Sequence, residues 1–325
     1  MNILLTTRCT RKCPYCFAKE RVSFPDESGR NKKAPLYISE SNFAKAIDFT
    51  IASGQQTIGI LGGEPSLHPQ FADLMAYTWS RGLNTRIFTN GMWASEQLEI
   101  FENVEPDFRR FVHLVLNINE PGITSAKEAR LQEQLLERLG RHCTLSYNIY
   151  RTEFEPEFLV NTIKKFKTRP SIRLGVCQPL AQMDSQHIDV SDYRDMVPSL
   201  MKLTALCDKN NIQLGFDCGF TFCMFTAEEL GKLMLAGARF KARCGPAIDI
   251  GTDLSTWACF PLSTFSQGTL LSSFKNKKEL DKYFRKHFGR LYRTGALPEC
   301  INCRYRKRRQ CSGGCAAHVY RKLNL

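Results

Sequence analysis

The chain has 325 residues, 43% hydrophobic and 24% charged, which is enough apolar material for a large core and excludes disorder, a collagen-like repeat or a coiled coil. Lysine and arginine number 45 against 32 aspartate and glutamate, a formal net charge of +13, and there are 14 cysteines. No apolar run approaches the roughly 20 residues of a membrane span, and the first apolar segment, residues 3–5, is too short for a secretory signal. A cytoplasmic chain with no membrane association is expected, and there clustered thiols mean metal or redox chemistry before disulfides.

In chain order, residues 3–7 read as a strand leading into a cysteine loop and a polar, lysine-bearing stretch at 23–35. Ser39 or Ser41 can cap an amphipathic helix that carries Phe43, Ala46, Ile47 and Ile51 and stops at Gly54. Residues 57–61 form the next strand, ending in Gly62-Gly63-Glu64-Pro65. A helix near 71–80 follows, then a strand at 84–88 that runs into Thr89-Asn90-Gly91. Helix 95–102, strand 111–118, helix 125–139, strand 144–150, helix 157–166 and strand 171–176 continue the pattern. Six strands with intervening helices imply parallel pairing through right-handed crossovers. The expected fold class is α/β, a partial (β/α)6 TIM-like barrel. Chemistry in such barrels gathers at the carboxyl ends of the strands. The cysteine loop, both glycine turns, Asn117 and Asn119 all fall there.

Past residue 180 the texture changes to a helix at 191–210, a strand at 212–216 and a helix at 227–235. From Cys244 onward cysteines crowd onto short segments. The expected division is a barrel over residues 1–210 and a smaller, loop-rich, cysteine-rich auxiliary cluster domain over 211–325. Metal, not a large apolar core, should hold the second part together. There is no internal repeat, P-loop, Gly-x-Gly-x-x-Gly or nucleophile elbow, which removes the common nucleotide-hydrolysis and acyl-transfer readings.

Cys9, Cys13 and Cys16 follow the first strand at x3 then x2 spacing. Three thiolates can hold a cubane of four irons and leave one iron without a protein ligand. Incomplete zinc ligation or buried thiols are the plainer alternatives. With Tyr15 just before the third cysteine, and Gly62-Gly63-Glu64-Pro65 after the second strand, the sequence resembles the radical S-adenosylmethionine enzymes. The resemblance implies a [4Fe-4S] cluster on the triad that chelates S-adenosylmethionine and an external one-electron reductant of flavodoxin or ferredoxin type. It also implies a 5′-deoxyadenosyl radical that removes a substrate hydrogen. By the same resemblance the Gly62–Pro65 turn meets the methionine part of the cofactor, and Asn90, Asn117 and Asn148 touch its ribose or carboxylate. The adenine motif many members carry on the fifth strand has no good match here; Asn148-Ile149-Tyr150 occupies its place.

The carboxyl-terminal cysteines look like a SPASM or twitch-type auxiliary module, with one or two further [4Fe-4S] clusters. Cys244 and Cys259 are followed by Cys300-x2-Cys303-x7-Cys311-x3-Cys315. The family has x5 where this chain has x7, a glycine where it has Leu254, and one more cysteine after the position of Cys315. The family's ligand logic groups Cys244, Cys259 and Cys315, with Cys218 or Cys223 as the fourth ligand. Cys300, Cys303 and Cys311 then form a set one thiolate short, or a Cys₄ zinc site competes. Cys177, and Cys223 if it is no ligand, are candidate catalytic thiols that return a hydrogen atom to a substrate radical. Cys143 and Cys207 read as small buried apolar residues.

Thirteen basic residues and three acidic ones lie between Lys275 and Arg309, so this strip carries +10 of the chain's +13. It is either a solvated face or a landing strip for an anionic partner. The resemblance implies a ribosomally made precursor peptide or protein as substrate, modified by crosslinking, oxidation or epimerisation. With no segment ahead of the first strand, a leader would bind the barrel rim or this strip. Two rivals are radical modification of RNA or a nucleotide-like small molecule, and a zinc-stabilised nucleic-acid-binding module with no enzyme activity. For nucleic acid, Tyr283, Phe284, Tyr292 and Tyr305 would supply stacking.

Overall fold

The computed structural model describes residues 1–22, 35–266 and 269–323. The polar stretch expected at 23–35 lies, apart from Pro35, outside them. Seven strands, β1 (Asn2–Leu4), β2 (Thr57–Leu61), β3 (Asn84–Thr89), β4 (Val112–Asn117), β5 (Cys143–Ile149), β6 (Ser171–Val176) and β7 (Gln213–Phe216), pair in parallel and in chain order. β8 (Arg239–Phe240) adds to β7 in parallel. At the opposite edge β9 (Asp249–Ile250) pairs in parallel with β1, and β10 (Thr256–Trp257) runs antiparallel to β9. One ten-stranded sheet results. Helices Glu40–Ala52, Phe71–Ser80, Ser95–Glu102, Ala126–Leu139 and Glu157–Phe166 make the crossovers.

Local chemistry accounts for these elements. Ser39, not Ser41, caps the first helix by accepting from the Asn42 N–H. Ser125 and Glu128 form a reciprocal capping box at the start of Ala126–Leu139. Along β4, Val112, Leu114 and Leu116 bury one face while His113 and Asn117 are only half-buried on the other, as a strand covered by helices on one side requires. Register aligns Asn2, Gly59, Arg86 and His113 across β1–β4. It likewise aligns Asn117, Ser146, Arg173 and Gly215 across β4–β7. That second face is polar. His113 meets Thr144 Oγ1 at 2.9 Å, and Arg173 donates to Ser146 at 3.0 Å and to Asp217 at 2.9 Å. A Cβ on Gly59 would lie 1.9 Å from Asn2 Oδ1, so the β1–β2 approach needs glycine there.

The sheet continues past residue 210, the expected limit of the barrel domain, because β7 to β10 extend both of its edges. The tail also contributes more to the core than its cysteine-rich texture suggests. Ile248, Leu262, Leu280, Phe284 and Leu291 are buried in the same apolar cluster as Ile60 and Leu114. Helix Lys277–His287, which the sequence reading missed, carries Leu280 and Phe284 four residues apart on a buried face. The surrounding charge hides this period. Among the described residues no helix is long and apolar enough to cross a membrane.

The β1–β9 seam contains a fully buried acid. Asn2 Nδ2 donates to Asp249 Oδ1 at 2.6 Å, and burial pushes the Asp249 carboxyl up to about 6. Its stabilising proton uptake is complete below the unfolded value and is lost as pH rises from about 4 to about 6. Asp249→Asn should therefore gain stability relative to the parent between pH 5 and pH 8, by on the order of 2 kcal/mol at the upper end. Urea denaturation at both pH values checks this, and an equal difference at the two would contradict it.

Candidate metal and cofactor centre

The loop after β1 is clamped by the turn after β2. Gly63 N–H donates to Thr6 O at 2.9 Å and Glu64 N–H to Arg8 O at 2.8 Å. A Cβ on Gly63 would sit 2.2 Å from Arg8 O and 2.7 Å from Cys9 Cβ, and one on Gly62 would sit 2.9 Å from Thr6 O. Both glycines are thus required by the close approach of the cysteine loop. Glu64 is completely buried. Its Oε1 accepts from Ser66 N, Ser66 Oγ and Thr89 Oγ1, and its Oε2 accepts from Asn90 N at 2.7 Å. Burial pushes this carboxyl up, against the pull of those donors. Pro65 starts a single helical turn, Pro65–Leu67. His68 steadies the exit, with Nε2 2.9 Å from Ile38 O and Nδ1 accepting from Gln70 N–H.

The triad divides between two small clusters. Cys9 and Cys16 pack against Leu4, Leu61, Trp257 and Phe260. Cys13 lies against Tyr15, Tyr150 and Cys177. Cys16 N–H donates to Cys13 O at 3.1 Å, which turns the chain between them. Burial pushes the Cys9 and Cys16 thiols up to about 12 and raises Cys13, and the three sulfurs are mutual electrostatic neighbours. Cys177 is raised as well, first by burial and then by Cys13 and Cys16.

A polar network surrounds the triad. The Tyr15 ring stacks on Tyr150 with centroids 4.7 Å apart, and its hydroxyl donates to Asn119 and accepts from Asn117 Nδ2. Asn148 Nδ2 donates to Asn117 Oδ1 at 2.8 Å. The structure therefore gathers Tyr15, Asn117 and Asn148, and joins Asn90 to Asn117 through Gln132, whose Nε2 donates to both main-chain carbonyls. Arg11 bonds Glu128 at 3.2 Å and the Asn117 carbonyl at 3.2 Å. Sequence reasoning misses Arg11, Gln132 and Glu128, and names Tyr150 only within the segment at the adenine-motif position. Only Arg11, placed inside the cysteine triad, carried a local signal.

These residues fit a four-iron cluster with a bound sulfonium amino acid. Three thiols sit on one loop, and Asn90 Nδ2 and Arg11 Nη2 are buried with no hydrogen-bond partner among the described residues. Buried donors left unpaired are costly, and a carboxylate or ribose oxygen would satisfy them.

All fourteen cysteines are free. In the tail, Cys315 lies within hydrogen-bonding reach of the Cys218 and Cys244 thiols, and Cys259 neighbours Cys244 and Cys218. The Cys315 contact pulls Cys244 down to about 7. A cleft lined by Cys218, Cys244, Cys315 and Lys241 opens there. Cys300, Cys303 and Cys311 lie near Cys223 instead. Among the described residues no three ligating side chains already stand at metal-bonding range. Cys143 and Cys207 are buried in the main apolar cluster.

Residues 3–121 match the family model of the Radical SAM superfamily, so the amino-terminal part of the chain carries the domain its cysteine loop resembles. The sporulation killing factor maturation protein SkfB of Bacillus subtilis is 26% identical over 104 residues, 32% of this chain and 23% of that protein. An S-adenosylmethionine-dependent nucleotide dehydratase of Selenomonas ruminantium is 31% identical over 91 residues, 28% of this chain and 29% of that protein. The chain thus spans about a quarter of the length of the curated relatives it matches. Among solved structures, Streptococcus suis SuiB bound to its precursor peptide SuiA superposes with a TM-score of 0.66 at 15% identity. That superposition covers 98% of this chain and 72% of SuiB. The fold is therefore the radical S-adenosylmethionine partial barrel with a cysteine-rich carboxyl-terminal region.

Glu64→Ala would leave the Ser66 and Asn90 amides buried without their acceptor, at a cost of about 1–3 kcal/mol for each orphaned group. The expected outcome is a clear drop in the denaturation midpoint. A midpoint equal to the parent's would show that the turn does not depend on this carboxylate.

Proposed function

We propose that the chain is a radical S-adenosylmethionine enzyme that modifies an unactivated carbon of a ribosomally made peptide or protein. The observation that carries this reading is the triad loop clamped beneath the Gly62–Pro65 turn, with unpaired donors of Arg11 and Asn90 buried beside it. Cys9, Cys13 and Cys16 would hold a [4Fe-4S] cluster. When bound, that cluster and S-adenosylmethionine supply a 5′-deoxyadenosyl radical able to take hydrogen from carbon.

The chain's own residues do the positioning. Glu64 has spent its carboxylate on the turn and on Asn90, so the main chain of residues 62–65 is the part of that turn left to meet the cofactor. Asn90 Nδ2 and Arg11 Nη2 would donate to its carboxylate or ribose, and the coupled pair Asn117–Asn148 lies within the same network. Tyr15 and Tyr150 form an aromatic wall beside Cys13 that would shield that thiol from water. Cys177 shares that wall and would return a hydrogen atom to a substrate radical, leaving a thiyl radical for the external reductant and a proton to restore. The tail thiols would hold auxiliary [4Fe-4S] centres. An external flavodoxin- or ferredoxin-type protein would supply electrons, and thiols of this kind suit a cytoplasmic setting.

A peptide substrate is supported by SkfB, whose name describes maturation of a killing factor, and by SuiB, solved with a precursor peptide and superposing over 98% of this chain, whereas the nucleotide dehydratase matches 28% of it. The basic strip gives less support to nucleic acid than its composition suggests. Phe284 is buried in the core, Tyr305 packs on Phe222, and Arg306 is tied to the Arg293 and Thr294 carbonyls. Exposed Lys278, Lys282, Arg285 and Arg290 remain for an acidic segment of a peptide.

Anaerobic reconstitution with iron, sulfide, reductant and S-adenosylmethionine should yield 5′-deoxyadenosine. Ala at Cys9, Cys13 or Cys16 should abolish that product while the far-ultraviolet circular dichroism stays unchanged. Cleavage retained in any of the three would refute the assignment, and zinc bound in place of iron and sulfide would favour a zinc-stabilised binding module.

A further inference from the structure

The segment after β7 places two cysteines beside two different groups of thiols. Cys218 lies two residues past the end of β7, and its carbonyl accepts from the Val176 N–H on β6. Its thiol is the neighbour of Cys315 and Cys259. Gly219, with φ +106°, then reverses the chain, and Cys223 sits in the single turn Phe222–Met224. This turn packs against the other group, since the Phe222 ring lies 5.1 Å from that of Tyr305, between Cys303 and Cys311. A Cβ on Gly314 would meet Thr221 Cγ2 at 3.9 Å. Cys311, Cys300 and Cys303 are the ionisable groups that act on Cys223.

The second group is built as a receptacle for sulfur. A Cβ on Gly313 would lie 2.7 Å from Cys300 Sγ, and one on Gly295 would lie 2.9 Å from the same sulfur. The two glycines have φ near +80° and pack their backbones against the Cys300 sulfur at a distance no side chain would allow. Gly313 N–H donates to Cys311 Sγ at 3.2 Å, and Ala296 N–H donates to Gly313 O at 2.7 Å. Backbone amides aimed at sulfur stabilise its thiolate.

We infer that Cys223 is the fourth thiolate of a second four-cysteine centre with Cys300, Cys303 and Cys311, distinct from the centre of Cys218, Cys244, Cys259 and Cys315. The segment between Cys218 and Cys223 then gives one ligand to each centre and ties both to the barrel sheet through β7. The set that sequence reasoning left one thiolate short is completed from 77 residues upstream of Cys300, across the fold. This inference rests on the proposed reading of the tail as a cluster-binding region.

The test uses the full chain with Cys9, Cys13 and Cys16 replaced by Ala, which leaves only the tail thiols to assemble metal. Anaerobic reconstitution with ferrous iron and sulfide should load about eight irons per chain, four for each cubane. Adding Cys223→Ala or Cys300→Ala should each either halve that content or change the same paramagnetic signal. Cys218→Ala and Cys315→Ala should change the other signal. A Cys223→Ala protein with the iron content and spectrum of its parent, or one altered in the signal that Cys218→Ala alters, would overturn the assignment. If the chain takes up zinc and no iron, loss of zinc from Cys223→Ala still supports Cys223 as a ligand while the cluster reading fails. Zinc retained in that variant would remove both.

Discussion

Everything at the amino-terminal centre depends on two hydrogen bonds across a gap too narrow for a side chain. Gly63 and Glu64 donate to the Thr6 and Arg8 carbonyls, and this fixes the cysteine loop against the second strand's turn. The same turn reaches onward, because the Glu64 carboxylate holds Asn90 N and Thr89 Oγ1 beyond the third strand. Three consecutive strand ends are thereby locked into one surface. A fully buried carboxylate is expensive unless its oxygens are satisfied, and here four donors satisfy it. The residue that resembles a cofactor contact is thus also the post on which neighbouring turns hang.

Burial sets the electrostatic character of the thiols. Cys9 and Cys16 sit against apolar side chains that push them up to about 12. An unloaded triad of this kind holds protons rather than free thiolates, and ligation must expel them. Burial and neighbouring sulfurs raise the tail thiols Cys223, Cys259 and Cys315 as well, and only Cys244 is drawn the other way, down to about 7, by its Cys315 contact and nearby Lys241.

Much of this was legible in the residues. The crossover helices and parallel strands through residue 176 follow from clean periods and capping residues such as Ser125 with Glu128. The triad and its glycine turn are local patterns, so their spacing alone exposes them. What the chain hid was long-range. Arg11 meets Glu128, 117 residues away, and Gln132 bridges the Asn90 carbonyl just past β3 and the Asn117 carbonyl at the end of β4; no spacing announces either. The tail was underread for a different reason, because lysines and arginines surround Leu280 and Phe284 and mask a core-facing helix. Strands β9 and β10 have two residues each, too short to show a period, yet they cover the edge of β1.

The central claim is that the three thiols of one clamped loop leave an iron open to a sulfonium amino acid. Electron paramagnetic resonance of the reduced, oxygen-free protein, recorded before and after S-adenosylmethionine is added, tests it most directly. The account predicts a four-iron signal, absent when Cys13 is Ala, whose g-values shift on addition. A signal that does not move, or no such signal in the parent protein, would contradict it.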